Sequence, residues 1–136
     1  MRSILENIPI PKGNKLAYKK WRIEKGFEEE VFSYLRRHDH MCYHVPDIWL
    51  WYRYLDGIVD CPDGTSFRIE FKVTDGYTLN MSQFEENQIR ILEYFMKYWN
   101  EAYVMVYSKK TGTYWVWTYE YIKNNINARR GIDLFS

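Results

Sequence analysis

Residues 55–73 read LDGIVDCPDGTSFRIEFKV, and apolar positions alternate with polar ones on both sides of a Pro-Asp-Gly step. A period of two is the signature of half-buried strands. Pro62-Asp63-Gly64 suits a type I turn with Gly in the left-handed conformation closing a G1 bulge. That three-residue loop pairs Cys61 with Thr65, Val59 with Phe67 and Asp56 with Glu70. One face then carries Leu55, Val59, Cys61, Phe67, Ile69 and Phe71, a core face, and the other carries Asp56, Ile58, Asp60, Ser66, Arg68, Glu70 and Lys72. A two-residue Asp63-Gly64 turn would pair Asp56 with Phe71 and scatter the acids among the aromatics. A one-residue slip moves every side chain to the wrong face, so the first register is preferred.

Elsewhere the spacing predicts a helix from Gly26 to about Arg37, with Phe27, Val31, Tyr34 and Leu35 as its stripe and Glu28-Glu29-Glu30 in its first turn. From Met41 to Leu55 the chain turns β-like around Pro46, with Trp49, Trp51, Tyr52 and Tyr54, and Asp56-Gly57 is a turn signal. Ser82 and Glu85 form an S-x-x-E capping box for a second helix running to about Trp99, whose buried stripe is Ile91, Leu92, Phe95 and Trp99. Gln88, four residues before Leu92, shares that inner face. Strands follow at Ala102–Tyr107 and Thr113–Thr118 around a Lys109–Gly112 turn, then a short helix from about Tyr119 and a polar tail. The order α-β-β-β-α-β-β-α predicts an α/β (α+β) fold, a mixed central sheet flanked by helices.

At 136 residues, the length predicts one domain over 1–136, with a basic arm at 1–25, a core at 26–118 and a helix and tail at 119–136. Aromatic content of 19% and the absence of low complexity mark a folded chain. No apolar run has the length of a membrane span, and MRSILENIPIPKGNK lacks the apolar stretch of a signal peptide. Cys42 and Cys61 are too few for a disulfide framework, so an intracellular, cytoplasmic location is expected. Net charge is +1, yet residues 1–25 hold seven basic against two acidic residues, a balance of +5 that leaves −4 for the remainder. The arm and the end of the first helix therefore offer Lys15, Lys19, Lys20, Arg22, Lys25, Arg36 and Arg37 as candidate DNA contacts.

The predicted register sets Asp56 directly opposite Glu70, with Lys72 two residues on. Like charges so placed destabilise a sheet. A hard divalent cation, bound through carboxylate oxygens, would compensate. His38, His40, Cys42 and His44 also alternate, but an extended strand spreads them over about 20 Å at 3.3 Å per residue, too far for one tetrahedral ion. They are expected to be surface or DNA-facing polar residues. The i,i+2 pairs Trp49/Trp51 and Trp115/Trp117 each share a strand face and are expected to serve packing.

The constellation resembles the PD-(D/E)xK nuclease superfamily, built on an αβββαβ restriction-endonuclease-like core, and within it the archaeal-type Holliday junction resolvases. Over roughly residues 25–118, Gly26 followed by Glu30, then Asp56, Glu70-Phe71-Lys72 and Gln88 stand in the order and spacing of that family's motifs. The literal Pro-Asp is Pro46-Asp47, which makes Asp47 the second choice to Asp56, and HDHMCYHVPDIWLWYRYL lacks the family's usual Gly-Ser pair. The resemblance implies Glu30, Asp56, Glu70, Lys72 and Gln88 as catalytic residues. Asp56, Glu70 and Glu30 would be ligands of Mg²⁺, for which Mn²⁺ would substitute. Lys72 would orient or deprotonate the attacking water, and Gln88 would position water or phosphate.

The expected activity is that of a magnesium-dependent endodeoxyribonuclease. It would resolve four-way DNA junctions by symmetric nicking as a homodimer, leaving 5′-phosphates. The alternatives are another nuclease of the superfamily (repair, restriction or phage), cutting duplex, flap or single-stranded DNA, or a non-catalytic nucleic-acid-binding module. The terminal GIDLF resembles the clamp-binding pentapeptide of bacterial replication proteins through Asp133, Leu134 and Phe135, which makes a sliding clamp an expected partner of a free C-terminal tail. Unchanged affinity for the clamp after deletion of residues 131–136 would remove that expectation.

Overall fold

A Pro-Asp-Gly turn sets the register from which the sheet is built. Cys61 N donates to Thr65 O at 2.8 Å, Gly64 N donates to Cys61 O at 3.0 Å, and Gly64 takes φ 89°, the left-handed conformation that a G1 bulge requires. Asp63 Oδ1 accepts from both Thr65 N and Thr65 Oγ1 and closes the loop. Beyond it Val59 faces Phe67 and Asp60 faces Ser66, the register that alternation predicts.

The computed structural model describes residues 2–10, 23–44, 55–98, 102–125 and 132–133. Lys15, Lys19, Lys20, Arg22, Asp47, Trp49, Trp51, Tyr52, Tyr54, Trp99, Leu134 and Phe135 lie outside them. In chain order the elements are α1 (Arg2–Glu6), α2 (Ile23–Arg37), β1 (Met41–His44), β2 (Gly57–Asp60), β3 (Ser66–Thr74), β4 (Thr78–Leu79), α3 (Glu86–Tyr98), β5 (Ala102–Ser108), β6 (Thr113–Thr118), α4 (Tyr119–Asn125) and β7 (Ile132–Asp133). Five strands form a mixed sheet in the order β1-β2-β3-β5-β6. β3 and β5 run parallel across the α3 crossover, and the other neighbours are antiparallel.

Helices cover both faces of this sheet. On one face Phe27, Val31, Phe32 and Leu35 of α2 pack with Val59, Phe67, Ile69, Phe71 and Met105. On the other, Leu92 and Phe95 of α3 and Ile122 of α4 pack with Val104, Val106 and Trp117. A central strand beside a parallel neighbour is buried on both sides, so the polar face of the hairpin is not wet throughout. Arg68 places its guanidinium over the Phe95 ring at 5.5 Å, and Glu70 is 1% exposed. Leu55 departs from the expected face: it belongs to the α3/α4 cluster, because it precedes β2 and strand alternation does not reach it.

Other departures come from contacts remote in sequence. α2 starts three residues earlier than expected, at Ile23, and ends in a Schellman closure: His40 N donates to Leu35 O, Asp39 N donates to Arg36 O, and Asp39 adopts φ 64°. α3 starts at Glu86 rather than Ser82, whose neighbourhood Met81–Gln83 is a 3₁₀ turn. The cap is Glu85, whose N donates to Gln88 Oε1 at 2.9 Å, so the box is Glu-x-x-Gln, three residues beyond the expected one. α1 was not expected within the basic arm: Leu5 and Ile8 are buried, and Tyr114 Oη donates to Leu5 O while accepting from Ile8 N. β7 pairs antiparallel with β4, so Ile132 and Asp133 do not belong to a free tail. Among the described residues no helix is long and apolar enough to cross a membrane.

Gly57 is where α2 and the sheet approach most closely. A Cβ there would meet Phe32 Cζ at 2.3 Å, and the Phe32 ring is held against Phe71 and His44. Gly57→Ala is expected to destabilise the fold by about 1–3 kcal/mol through overpacking. An unchanged urea midpoint would contradict it.

Candidate metal centre

Asp56 stands immediately before β2, where the strand leaves the edge of β3, and this frees the Phe71 amide from the ladder. Phe71 N donates to Asp56 Oδ2 at 2.8 Å, and Asp56 N donates to Glu70 Oε1 at 3.2 Å. The Glu70 carboxylate is thus held by the Asp56 amide and the Asp56 carboxylate by the amide of Phe71, the residue after Glu70, so the two are bonded to neighbouring backbone and not merely placed opposite. From the far side α2 brings two more. Ligand atoms of Glu24, Glu28 and Asp56 lie within 4.8 Å of one another, and among the described residues they form the one such group of three.

The electrostatics follow from burial. Glu70 Oε2 is fully enclosed and has no hydrogen-bond partner; the Lys72 ammonium is 3.4 Å away, an ion-pair distance without hydrogen-bond geometry. Burial, then repulsion from Asp56, hold the Glu70 carboxyl well above the ordinary range, and Lys72 opposes them. Glu28 is pushed up to about 8 by burial first and Asp56 second, against Lys25. Glu24 lies at the exposed rim with its carboxyl turned inward and is raised by the same two causes in the same order. Metal-free, the cluster is a set of carboxyls competing for too little positive charge.

Lys72 is the cation at its centre. Its Nζ donates to Gln83 O at 2.6 Å and to Gln88 Oε1 at 2.8 Å, and lies over the Phe84 ring, 4.8 Å from its centroid. Gln88 Oε1 also accepts from the α3 cap, so this side chain ties the helix start to Lys72. Gln83 pins the same loop: its Nε2 donates to Val73 O and its Oε1 accepts from Asn80 N.

Of the expected residues, Asp56, Glu70, Lys72 and Gln88 converge, and Glu30 does not join them. The helix carboxylates at the site are Glu24 and Glu28, because Gly26, Phe27, Val31, Phe32 and Leu35 set which face of α2 is buried. Glu30 stands about 200° around the helix from Glu28. The signal was present in the sequence as Glu24, Glu28, Val31 and Leu35, an i, i+4, i+7, i+11 stripe. The Gly26-to-Glu30 spacing of the resemblance points instead to Glu30, on another face of the helix.

Lys25, expected to bind DNA, lies 3.8 Å from Glu28 and 3.5 Å from Glu29. Arg36 donates to Cys42 O and covers Phe32, while Arg37 is exposed. The His/Cys run scatters. His38 Nδ1 meets Tyr34 O, His40 Nδ1 meets His38 O, His44 faces Glu29, and Cys42 is buried in the core. No family model, curated protein or solved structure matches the chain.

The raised carboxyls predict a pH dependence. Glu28 binds its proton more tightly folded, at about 8, than at its ordinary 4.5. Its contribution to stability is therefore complete below about 4.5 and lost as pH rises through 8, and Glu24 and Glu70 act with the same sign. Without divalent metal, the urea midpoint should fall between pH 5 and pH 8, and Glu28→Gln should flatten that fall. A midpoint that rises over this interval would refute the arrangement.

Proposed function

We propose that the chain is a metal-dependent endodeoxyribonuclease of the PD-(D/E)xK type, hydrolysing phosphodiester bonds in four-way DNA junctions as a homodimer. The observation that supports this reading is the enclosed Glu70 Oε2 without a hydrogen-bond partner, beside Asp56 and against Lys72. A buried anionic oxygen left in that state is costly unless a charge satisfies it. Four carboxylates supply only hard oxygen donors, which suit Mg²⁺ or Mn²⁺ rather than a thiophilic ion.

Asp56, Glu28 and Glu24 would hold such an ion, with Glu70 adjoining it through Asp56. When bound it would polarise the phosphoryl oxygen and lower the pKa of water. The remaining work falls to the chain's own groups. Lys72, fixed by Gln83 O and Gln88 Oε1, directs an ammonium at the charge that builds on the phosphate. Acceptors on several sides make it a donor and orienting group, not the base. Gln88 positions Lys72 rather than water.

The test is cleavage of a labelled synthetic four-way junction in Mg²⁺ beside linear duplex, flap and single-stranded controls. The expected result is paired symmetric nicks on the junction, reduced at least about 100-fold in Glu70→Gln and in Lys72→Ala. Equal cutting of the controls would keep a nuclease and discard the resolvase. Binding without cutting, by a protein shown to be folded, would leave a nucleic-acid-binding module. Mn²⁺ titrated alone should release protons and raise the melting temperature at pH 7, and Glu70→Gln should lose both effects.

A further inference from the structure

Beside the acidic centre, two donors from different elements meet on one oxygen. β1 sets His44 opposite Gly57, the residue after Asp56, and the His44 ring packs against Phe32 of α2 with centroids 4.6 Å apart. Its Nε2 lies 3.2 Å from Glu29 Oε1, and its Nδ1 lies 3.9 Å from Glu28 Oε2. Lys25, one turn before Glu29 on α2, places its ammonium 3.5 Å from that same Glu29 oxygen and 3.8 Å from that same Glu28 oxygen. An imidazole and an ammonium therefore converge on a single carboxylate oxygen, and both also stand next to Glu28, a member of the candidate metal centre. The two carboxylates differ in burial: the Glu28 side chain is 11% exposed and the Glu29 side chain 37%.

We propose that Lys25 and His44 form a phosphate-binding pocket at the edge of the metal centre, and that the Glu29 carboxylate holds the place that an oxygen of a DNA phosphate takes on binding. The proposal rests on the nuclease reading and deepens it, by naming the groups that seat a backbone phosphate beside the ion and the internal anion that the phosphate displaces. Two donors aimed at one oxygen make an anion site, and a carboxylate oxygen and a phosphate oxygen offer them the same kind of acceptor. Glu29 is held by an i,i+4 pair with Lys25 and by a half-buried imidazole. Ion pairs so open to water contribute little, so a phosphate can exchange with the carboxylate. The donors stay where they are when it leaves, since His44 is fixed by the β1–β2 ladder and by Phe32, and Lys25 by its place on α2. No change of protonation is needed, because a neutral imidazole with its proton on Nε2 donates to either anion. Glu28, the more buried of the two acids, remains with the ion. The Lys25 ammonium lies between the two carboxylates, so a phosphate in place of Glu29 sits next to the ion that Glu28 would hold.

The experiment is fluorescence anisotropy of a labelled four-way junction in EDTA, with cleavage of the same junction in Mg²⁺ in parallel. Glu29→Ala should tighten binding about fivefold. Glu30→Ala removes the same charge about 100° further around α2 and should change binding less than about twofold, which separates release of the pocket from net charge. Lys25→Ala should weaken binding about fivefold and lower the salt slope by about one. His44→Phe keeps a ring against Phe32 and removes the donor; it should weaken binding about fivefold, and His44→Gln should recover most of that loss. In the Lys25→Ala/His44→Phe double variant, Glu29→Ala should have no effect. Unchanged or weaker binding by a folded Glu29→Ala, equal tightening by Glu29→Ala and Glu30→Ala, or no junction binding by the wild-type protein overturns the pocket. The expected pattern in a protein that cuts nothing in Mg²⁺ sustains the pocket while removing the hydrolase. Cutting by the wild-type protein, with binding unchanged in every variant, removes the pocket alone.

Discussion

The burial of Glu70 is the constraint on which the site depends. β3 lies between β2 and β5, and its neighbours leave the Glu70 side chain 1% exposed. A carboxylate taken from water must find a proton, a cation or donors. The chain supplies one backbone amide from Asp56 and one ammonium at ion-pair distance from Lys72, and then adds further carboxylates rather than removing them. Such an excess of acid destabilises a fold that has no cation to hold.

Neighbouring elements are shaped by this one side chain. Lys72 must be aimed, so Gln83 and Gln88 accept its protons, and the same Gln88 oxygen caps α3. The helix start is thereby coupled to the charge centre, which explains the displaced capping box. On the opposite face the close approach of Phe32 to Gly57 sets α2 against the sheet so that its Glu24–Glu28 side reaches Asp56. Apolar packing and the polar site are two results of the same docking.

Much of the frame was legible because its determinants are local. The hairpin register followed from Pro62-Asp63-Gly64 and alternation. The β5–β6 hairpin and the α4 start followed from short periodic runs and turn residues. Asp56, Glu70 and Lys72 were legible for the same reason, since a strand register fixes which side chains share a face. α1, the β4–β7 pair and the Leu55 packing were not, because each depends on a partner far along the chain, such as Tyr114 for residues 5 and 8.

The sequence by itself determined the strand pairing at the centre, the mixed sheet flanked by helices and three of the site's charged groups, because turn chemistry and a period of two act over a few residues. Only the tertiary structure decided which helix carboxylates join them. Glu28 and Glu30 are equivalent in a run of three acids. Phe27 and Phe32 packing against Phe71 turns one of them to Asp56 and the other away.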